Sequence, residues 1–203
     1  MNNYKHNEQS GRSMIEMLGV LAIIGVLSVG GIAGYSKAMN KFKTNKVADN
    51  VSMLVANIKT LYAQQNTYNG LENKTAISMG VVPDELGTNA TSGTLTNAFS
   101  GQVYIAASDS TAGDDDKAFT IVFTKLSREA CISLVTNDWG SGYSSGLIAI
   151  EATGTDMSTH GDLDGVMIGN DGTKDKIATP GGKTQPVPMA VVAAAKACAC
   201  ASG

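Results

Sequence analysis

Residues that build metal and catalytic sites are scarce in this sequence. Its 203 residues include 2 His and 3 Cys, and no two cysteines have the Cys-x-x-Cys spacing of a zinc site. His6 and His160 are the only histidines. No glycine-rich phosphate loop is present, and no arrangement of residues is typical of a catalytic site. The sequence therefore predicts neither an enzyme nor a metalloprotein, and it implies no cofactor.

Aromatic residues are also few, at 5% of the chain. Lysines at positions 37, 41, 43 and 46 precede the next acidic residue, Asp49, whereas the rest of the chain is acidic. Without interleaved aromatics, these lysines do not indicate nucleic-acid recognition. A basic segment beside an acidic domain is compatible with packing between subunits of a polymer, or with an ordinary solvated surface.

Prolines are absent before Pro83, and an apolar run occupies part of this proline-free region. From Met14 to Tyr35 the run has 22 residues, about 33 Å of α-helix, which is enough to cross the hydrocarbon core of a bilayer. Glu16 is its only charged residue. A carboxylate there costs about 3 kcal/mol on membrane-insertion scales unless it is neutralised, so the sequence predicts a partner for Glu16.

Gly11 is followed by four residues, then by Glu16 and the rest of the apolar run. This pattern resembles the N-terminus of type IV prepilins and pseudopilins. The resemblance implies that a prepilin peptidase cleaves between Gly11 and Arg12 and methylates the new amine of Arg12. It also implies that Glu16 pairs with the terminal amine of a neighbouring subunit in a helical filament. The family usually begins its mature chain with an apolar residue, whereas this chain has Arg12.

Four segments are expected along the chain. Residues 1–11 form the prepilin leader, and 12–36 form the membrane-spanning and assembly half of a long helix. The amphipathic half of the same helix covers 37–65, because its apolar residues recur at helical spacing. Residues 66–203 form a globular head domain. The apolar positions of the amphipathic half are Val47, Val51, Leu54, Val55, Ile58, Leu61 and Tyr62.

The pattern of the head predicts an α+β fold with a small antiparallel sheet. Alternation of apolar residues predicts a β-hairpin from Gln102–Ala107 and Ala118–Leu126. Ser127 is the predicted N-cap of a helix from Arg128 to about Asn137. Further elements are expected, namely a short helix near Thr75–Met79, strands at Leu147–Ala152 and Gly165–Ile168, and a C-terminal helix over Met189–Cys200.

The head contains four further motifs, namely Asn66 to Leu71, Asn97 to Gly101, Thr124 to Leu134 and Ala193 to Cys198. These motifs resemble those of type IVb pilins, in particular the bundle-forming and conjugative-plasmid kinds. The resemblance pairs Cys131 with a cysteine near the C-terminus, and Cys198 fits that motif better than Cys200. Such a disulfide would contribute about 4 kcal/mol by the chain-entropy estimate. Three reduced, buried thiols are the alternative.

Two features disagree about which side of the membrane carries the head. The four lysines after the apolar run outnumber Lys5 and Arg12 before it, and the positive-inside rule would therefore place the head in the cytoplasm. The resemblance to pilins places the head outside, and a disulfide would require an oxidising compartment. We expect the head to lie outside.

These observations predict a major pilin that polymerises into a type IV pilus for adhesion, aggregation, motility or transfer. Its expected partners are copies of itself, the prepilin peptidase, an inner-membrane assembly platform and, before assembly, the membrane. The precursor would lie in the bacterial inner membrane and the product in the extracellular pilus. The alternatives are a pseudopilin or minor pilin of a secretion or DNA-uptake system, and a membrane-anchored binding protein that acts as a monomer.

Overall fold

The computed structural model describes residues 14–108, 116–139, 147, 149–152, 166–169, 185–186 and 198. The chain divides into two units, Met1–Met39 and Asn40–Gly203. The helices are α1 (Met14–Leu61), α2 (Asn73–Ser78) and α3 (Arg128–Val135). The strands are β1 (Gly87–Asn89), β2 (Thr94–Thr96), β3 (Gln102–Ser108), β4 (Ala118–Phe123), β5 (Ala149–Ala152), β6 (Val166–Gly169) and β7 (Gln185–Pro186).

The long helix α1 is amphipathic in its second half. Its buried residues recur every three or four positions, which places them on one face. The helix ends at Leu61 rather than at the predicted Gln65, because its last turn tightens. Ala63 donates its backbone N–H to the Thr60 carbonyl, three residues back, and Gln65 likewise to Tyr62. The buried residues of α1 are Thr44, Val47, Asn50, Leu54 and Ile58.

Four antiparallel strands form the first sheet, in the order β1-β2-β3-β4. Strands β3 and β4 pair with Ile105 opposite Ile121, so the predicted hairpin is confirmed. Strands β1 and β2 were not predicted. Each has three residues, which is too short to show an alternating pattern. The turn between them is held by the Asn89 side chain, which accepts hydrogen bonds from the backbone of Thr91 and Ser92.

Beyond the end of β2, the side chain of Asn73 forms hydrogen bonds with the backbone at the edge of β3. The Asn73 amide donates to the Val103 carbonyl at 2.9 Å and accepts from the Ile105 N–H at 2.7 Å. Ala107 then donates its N–H to the Leu71 carbonyl. The start of α2 thereby satisfies backbone groups of β3 that β2 does not reach.

The main hydrophobic cluster, which we call the sheet core, joins the second half of α1 to this sheet. The rings of Tyr62 and Tyr68 contact each other at a tilt, with centroids 5.2 Å apart, and Tyr68 meets Phe119 edge to face at 4.8 Å. These contacts explain why the amphipathic half of α1 is helical although much of it is polar. The buried members of the sheet core are Leu54, Ile58, Tyr62, Leu71, Ala76, Val81, Leu86, Leu95, Val103 and Ile105.

A second sheet has the order β5-β6-β7. Strands β5 and β6 are antiparallel, with Ile150 opposite Ile168, and β6 and β7 are parallel. The strands predicted at Leu147–Ala152 and Gly165–Ile168 correspond to β5 and β6. The helix predicted over Met189–Cys200 lies outside the described residues except for Cys198.

Candidate functional site

Every residue of α1 from Met14 to Ala38 is exposed within the single chain. The large apolar side chains among them include Ile15, which is 78% exposed, and Val26, which is 75% exposed. Within the described residues, α1 is the one helix that is long and apolar enough to span a membrane. An apolar surface of this extent exceeds what soluble monomers leave in water. Lipid or other protein chains must therefore cover it.

Glu16 lies in the first turn of α1. A carboxylate in the first turn of a helix interacts favourably with the helix dipole. No hydrogen bond or ion pair to Glu16 is present among the described residues. Chemically, this side chain can accept a proton or pair with a cation. In an apolar environment one of the two is required, because an isolated buried carboxylate costs several kcal/mol.

The predicted cleavage site falls at Gly11 and Arg12, which lie outside the described residues. The pairing of Glu16 with the terminal amine of a neighbouring subunit stays a prediction. Pairing between neighbouring subunits would in any case join two different chains.

The disulfide expected from the resemblance is present between Cys131 and Cys198, with their Cα atoms 5.8 Å apart. This separation is typical of protein disulfides. Cys198 is 3% exposed and packs with Val135 and Ala152. We call these residues, with the half-buried Cys131, Ile132, Leu147 and Ile150, the disulfide cluster.

Helix α3 holds Cys131 in place through contacts at both of its ends. The Ser127 hydroxyl oxygen accepts a hydrogen bond from the Ala130 N–H at 3.2 Å, so the predicted N-cap is confirmed. At the other end, the Trp139 indole N–H donates to the Leu134 carbonyl at 2.7 Å. This bond satisfies one of the carbonyl groups that the end of a helix leaves without an intrahelical partner.

Two lysines of α1 contact the head. The Lys43 ammonium lies 5.6 Å from the centre of the Phe99 ring, within cation–π range. Lys46 lies 3.9 Å from a carboxylate oxygen of Glu85. Sequence reasoning identified the lysines but not their partners, because each partner lies far along the chain.

Phe99 is presented by a turn that Asn97 organises. The Asn97 side-chain oxygen accepts hydrogen bonds from the N–H groups of Phe99 and Gly101, and its amide donates to the Thr124 carbonyl. A Cβ atom on Gly101 would overlap that same carbonyl oxygen, so only glycine fits there. These contacts give the motif from Asn97 to Gly101 a structural explanation.

Among the described residues, no three His, Cys, Asp or Glu side chains lie close enough to hold a metal ion. A shallow groove of about 390 Å³ lies beside Asn73 and Tyr104.

Comparison with known proteins gives two findings. A family model described as PilS N terminal matches residues 41–181. Over 141 residues the chain is 27% identical to the toxin coregulated pilin of Vibrio cholerae serotype O1, an alignment that covers 66% of this chain and 59% of the relative. The chain thus spans about three fifths of the length of that curated relative. No solved structure matches the chain.

Proposed function

Since the chain belongs to the PilS N-terminal family, we propose that it is the structural subunit of a type IV pilus, with no catalytic activity of its own. The similarity to the toxin coregulated pilin supports this role and agrees with the type IVb resemblance of the head motifs. The family match begins at residue 41. The apolar run and Glu16 precede it, so they support the proposal independently.

The observation that carries the proposal is the exposed apolar part of α1 with a single carboxylate near its start. Before assembly, the bilayer would cover this surface. After assembly, the same surface on neighbouring copies would cover it, since apolar helices pack closely once lipid is removed. Glycines stand at positions 19, 25, 30, 31 and 34 of this part of the helix. Their lack of a side chain permits close approach between helices.

In the proposed mechanism, prepilin peptidase cleaves between Gly11 and Arg12 and methylates the new amine. The amine of Arg12 on one subunit then pairs with the Glu16 carboxylate of its neighbour. Each charge alone is costly in an apolar filament core, whereas the pair is tolerated. A subunit that enters at the wrong height leaves both charges unpaired. The pair therefore selects the axial register of each incoming subunit.

The proposed pathway places the precursor in the inner membrane with its head outside, where the assembly platform extracts it. The Cys131–Cys198 disulfide supports this orientation, because disulfides persist in oxidising compartments outside the cytoplasm. The positive-inside rule favours the opposite orientation. The disulfide outweighs the lysine count, because a disulfide in the head requires an oxidising compartment outside the cytoplasm.

Substitution of Glu16 tests the proposal. Glu16→Ala and Glu16→Gln should both abolish filaments in mechanically sheared surface material, while the subunit still enters the membrane. Glu16→Asp keeps the charge and should retain part of the assembly. Glu8→Gln, in the expected leader, is the matched control and should assemble normally. Normal filaments from the Gln variant would contradict the register mechanism. Surface display of the wild-type chain without any filaments, unchanged by the Glu16 substitutions, would instead favour a membrane-anchored monomer.

A further inference from the structure

A basic and aromatic part of α1 begins where the apolar run ends. We call Tyr35, Lys37, Lys41 and Phe42 the interface segment. Tyr35 is 66% exposed and Phe42 is 61% exposed, and both lysines are exposed as well. Lys37 and Lys41 are four residues apart and lie on one face of the helix, while Tyr35 and Phe42 are seven apart and share another face.

The four lysines of this region divide into two pairs. Lys43 and Lys46, nearer to the head, contact Phe99 and Glu85 as described above. Lys37 and Lys41 have no hydrogen bond, ion pair or ring contact among the described residues. No acidic residue lies between Glu16 and Asp49. The charges of Lys37 and Lys41 are thus not neutralised by the nearby chain.

The position of the interface segment identifies the chemical group that can neutralise the charges of Lys37 and Lys41. The apolar run is about as long as the hydrocarbon core is thick, so the residues that follow it reach the headgroup layer. Tyrosine is enriched at that level because its ring is apolar and its hydroxyl is polar. Lysine attracts anionic headgroups there.

We propose that, before assembly, Lys37 and Lys41 bind the phosphate groups of anionic phospholipids, at positions between the rings of Tyr35 and Phe42 along the helix axis. This inference rests on the membrane-resident precursor of the proposed function. It assigns a lipid-binding role to those two lysines of the basic part of α1 that have no partner in the described part of the chain. Loss of these headgroup contacts would be one cost of extracting the subunit into a filament.

Lysine reactivity in vesicles tests the inference at single residues. The full chain is reconstituted in vesicles of phosphatidylcholine alone, or with a third of phosphatidylglycerol, and lysines are acetylated and quantified by mass spectrometry. Lys37 and Lys41 should react about fivefold more slowly in the anionic vesicles at low salt, and high salt should remove most of the difference. Inorganic phosphate added to neutral vesicles should not reproduce the protection.

Exposed Lys74, in the head, is the internal control and should react equally in both kinds of vesicle. Equal reactivity of Lys37 and Lys41 in both would overturn the proposal, and so would protection of Lys74 by the same factor. If inorganic phosphate protected the two lysines in neutral vesicles, they would form a site for free phosphate. That result would also overturn the lipid assignment.

Lysine variants provide a second test. Lys37→Gln/Lys41→Gln should lower the preference of the reconstituted chain for spin-labelled phosphatidylglycerol over phosphatidylcholine, while Lys74→Gln/Lys125→Gln should keep it. An unchanged preference in the first variant would overturn the proposal. Resistance to alkaline carbonate extraction is measured in parallel and should be the same for all variants. A chain that is fully extracted would contradict the membrane-resident precursor itself, so the two failures are distinguishable.

Discussion

Asn50 is completely buried on α1, yet neither polar atom of its side chain has a hydrogen-bond partner among the described residues. An unsatisfied buried polar group costs about 1–3 kcal/mol. On the same helix, the exposed Asn57 donates to the Val81 carbonyl at 2.9 Å. The two asparagines therefore have opposite effects on the free energy of unfolding, although the sequence alone gives no reason to distinguish them.

Asn50→Leu should stabilise the head, because leucine has a similar branched shape and needs no hydrogen bond. We expect a gain of about 1 kcal/mol, or a Tm higher by roughly 2–4 °C. Thermal unfolding of the full chain in detergent measures it. Asn57→Leu is the matched control and should lower the Tm or leave it unchanged. A lower Tm for Asn50→Leu would show that the buried amide is satisfied in solution.

Tyr62 makes the stability of the head sensitive to alkaline pH. Burial raises the pKa of Tyr62 above its ordinary value of 10.0, because the phenolate is the costlier form to desolvate. The unfolded chain loses this proton first as pH rises. The contribution of Tyr62 is therefore complete below pH 10 and is lost as pH increases through the raised pKa.

Tyr62→Phe removes this titration and keeps the ring. The Tm of the wild-type chain should fall more steeply between pH 8 and pH 11 than that of the variant. Differential scanning calorimetry across this range measures both slopes, with other alkaline effects common to the two proteins. Parallel slopes would show that the Tyr62 hydroxyl is accessible to water in the folded head.

At the scale of elements, the described residues of the head form two clusters, of which the sheet core is the larger. The sheet core has buried side chains from α1, α2 and the first sheet. The buried members of the disulfide cluster are Val135, Ala152 and Cys198, and one of them belongs to the disulfide itself. A small cluster closed by a covalent bond should depend on that bond more than a large apolar core does.

Cys131→Ala/Cys198→Ala should therefore destabilise the disulfide cluster first. Hydrogen exchange measured by mass spectrometry should show loss of protection in α3 and β5, while β3 and β4 stay protected. The chain-entropy estimate for the missing crosslink is about 4 kcal/mol. The single variant Cys200→Ala is the control and should exchange like the wild type. Simultaneous loss of protection in both clusters would show that they unfold as one unit.

Elements with a long, regular pattern could be predicted from the sequence, and elements formed by distant contacts could not. The alternation from Phe119 to Phe123 predicted β4, and Ser127 predicted the start of α3. By contrast, the bonds from Asn73 to β3 join residues about thirty positions apart. Nothing in the sequence around Asn73 indicates that its amide completes a sheet edge.

The candidate site was likewise predicted from the sequence only in part. The apolar run, Glu16 and the Cys131–Cys198 pairing were identified from the sequence, the last through resemblance alone. The contacts of Lys43 and Lys46 with the head required the fold. Without them, the four lysines form one basic segment, and the distinction of Lys37 and Lys41 from the other two does not arise.

At the scale of the whole molecule, one chain combines an exposed apolar helix with a head that has its own core. The helix requires a cover of lipid or protein, and the head folds around the amphipathic half of α1. In a subunit that is first anchored in a membrane and later polymerised, the same helix surface is covered in both states, first by lipid and then by neighbouring copies. This transfer from lipid to filament is the central claim of the proposed function.

Mass spectrometry of the N-terminal peptide from mechanically sheared surface protein tests this claim most directly. The account predicts a mature chain that begins at Arg12, carries a methyl group on its terminal amine and is abundant in the sheared fraction. An intact chain that begins at Met1, found only in membranes and absent from sheared material, would contradict both processing and polymerisation.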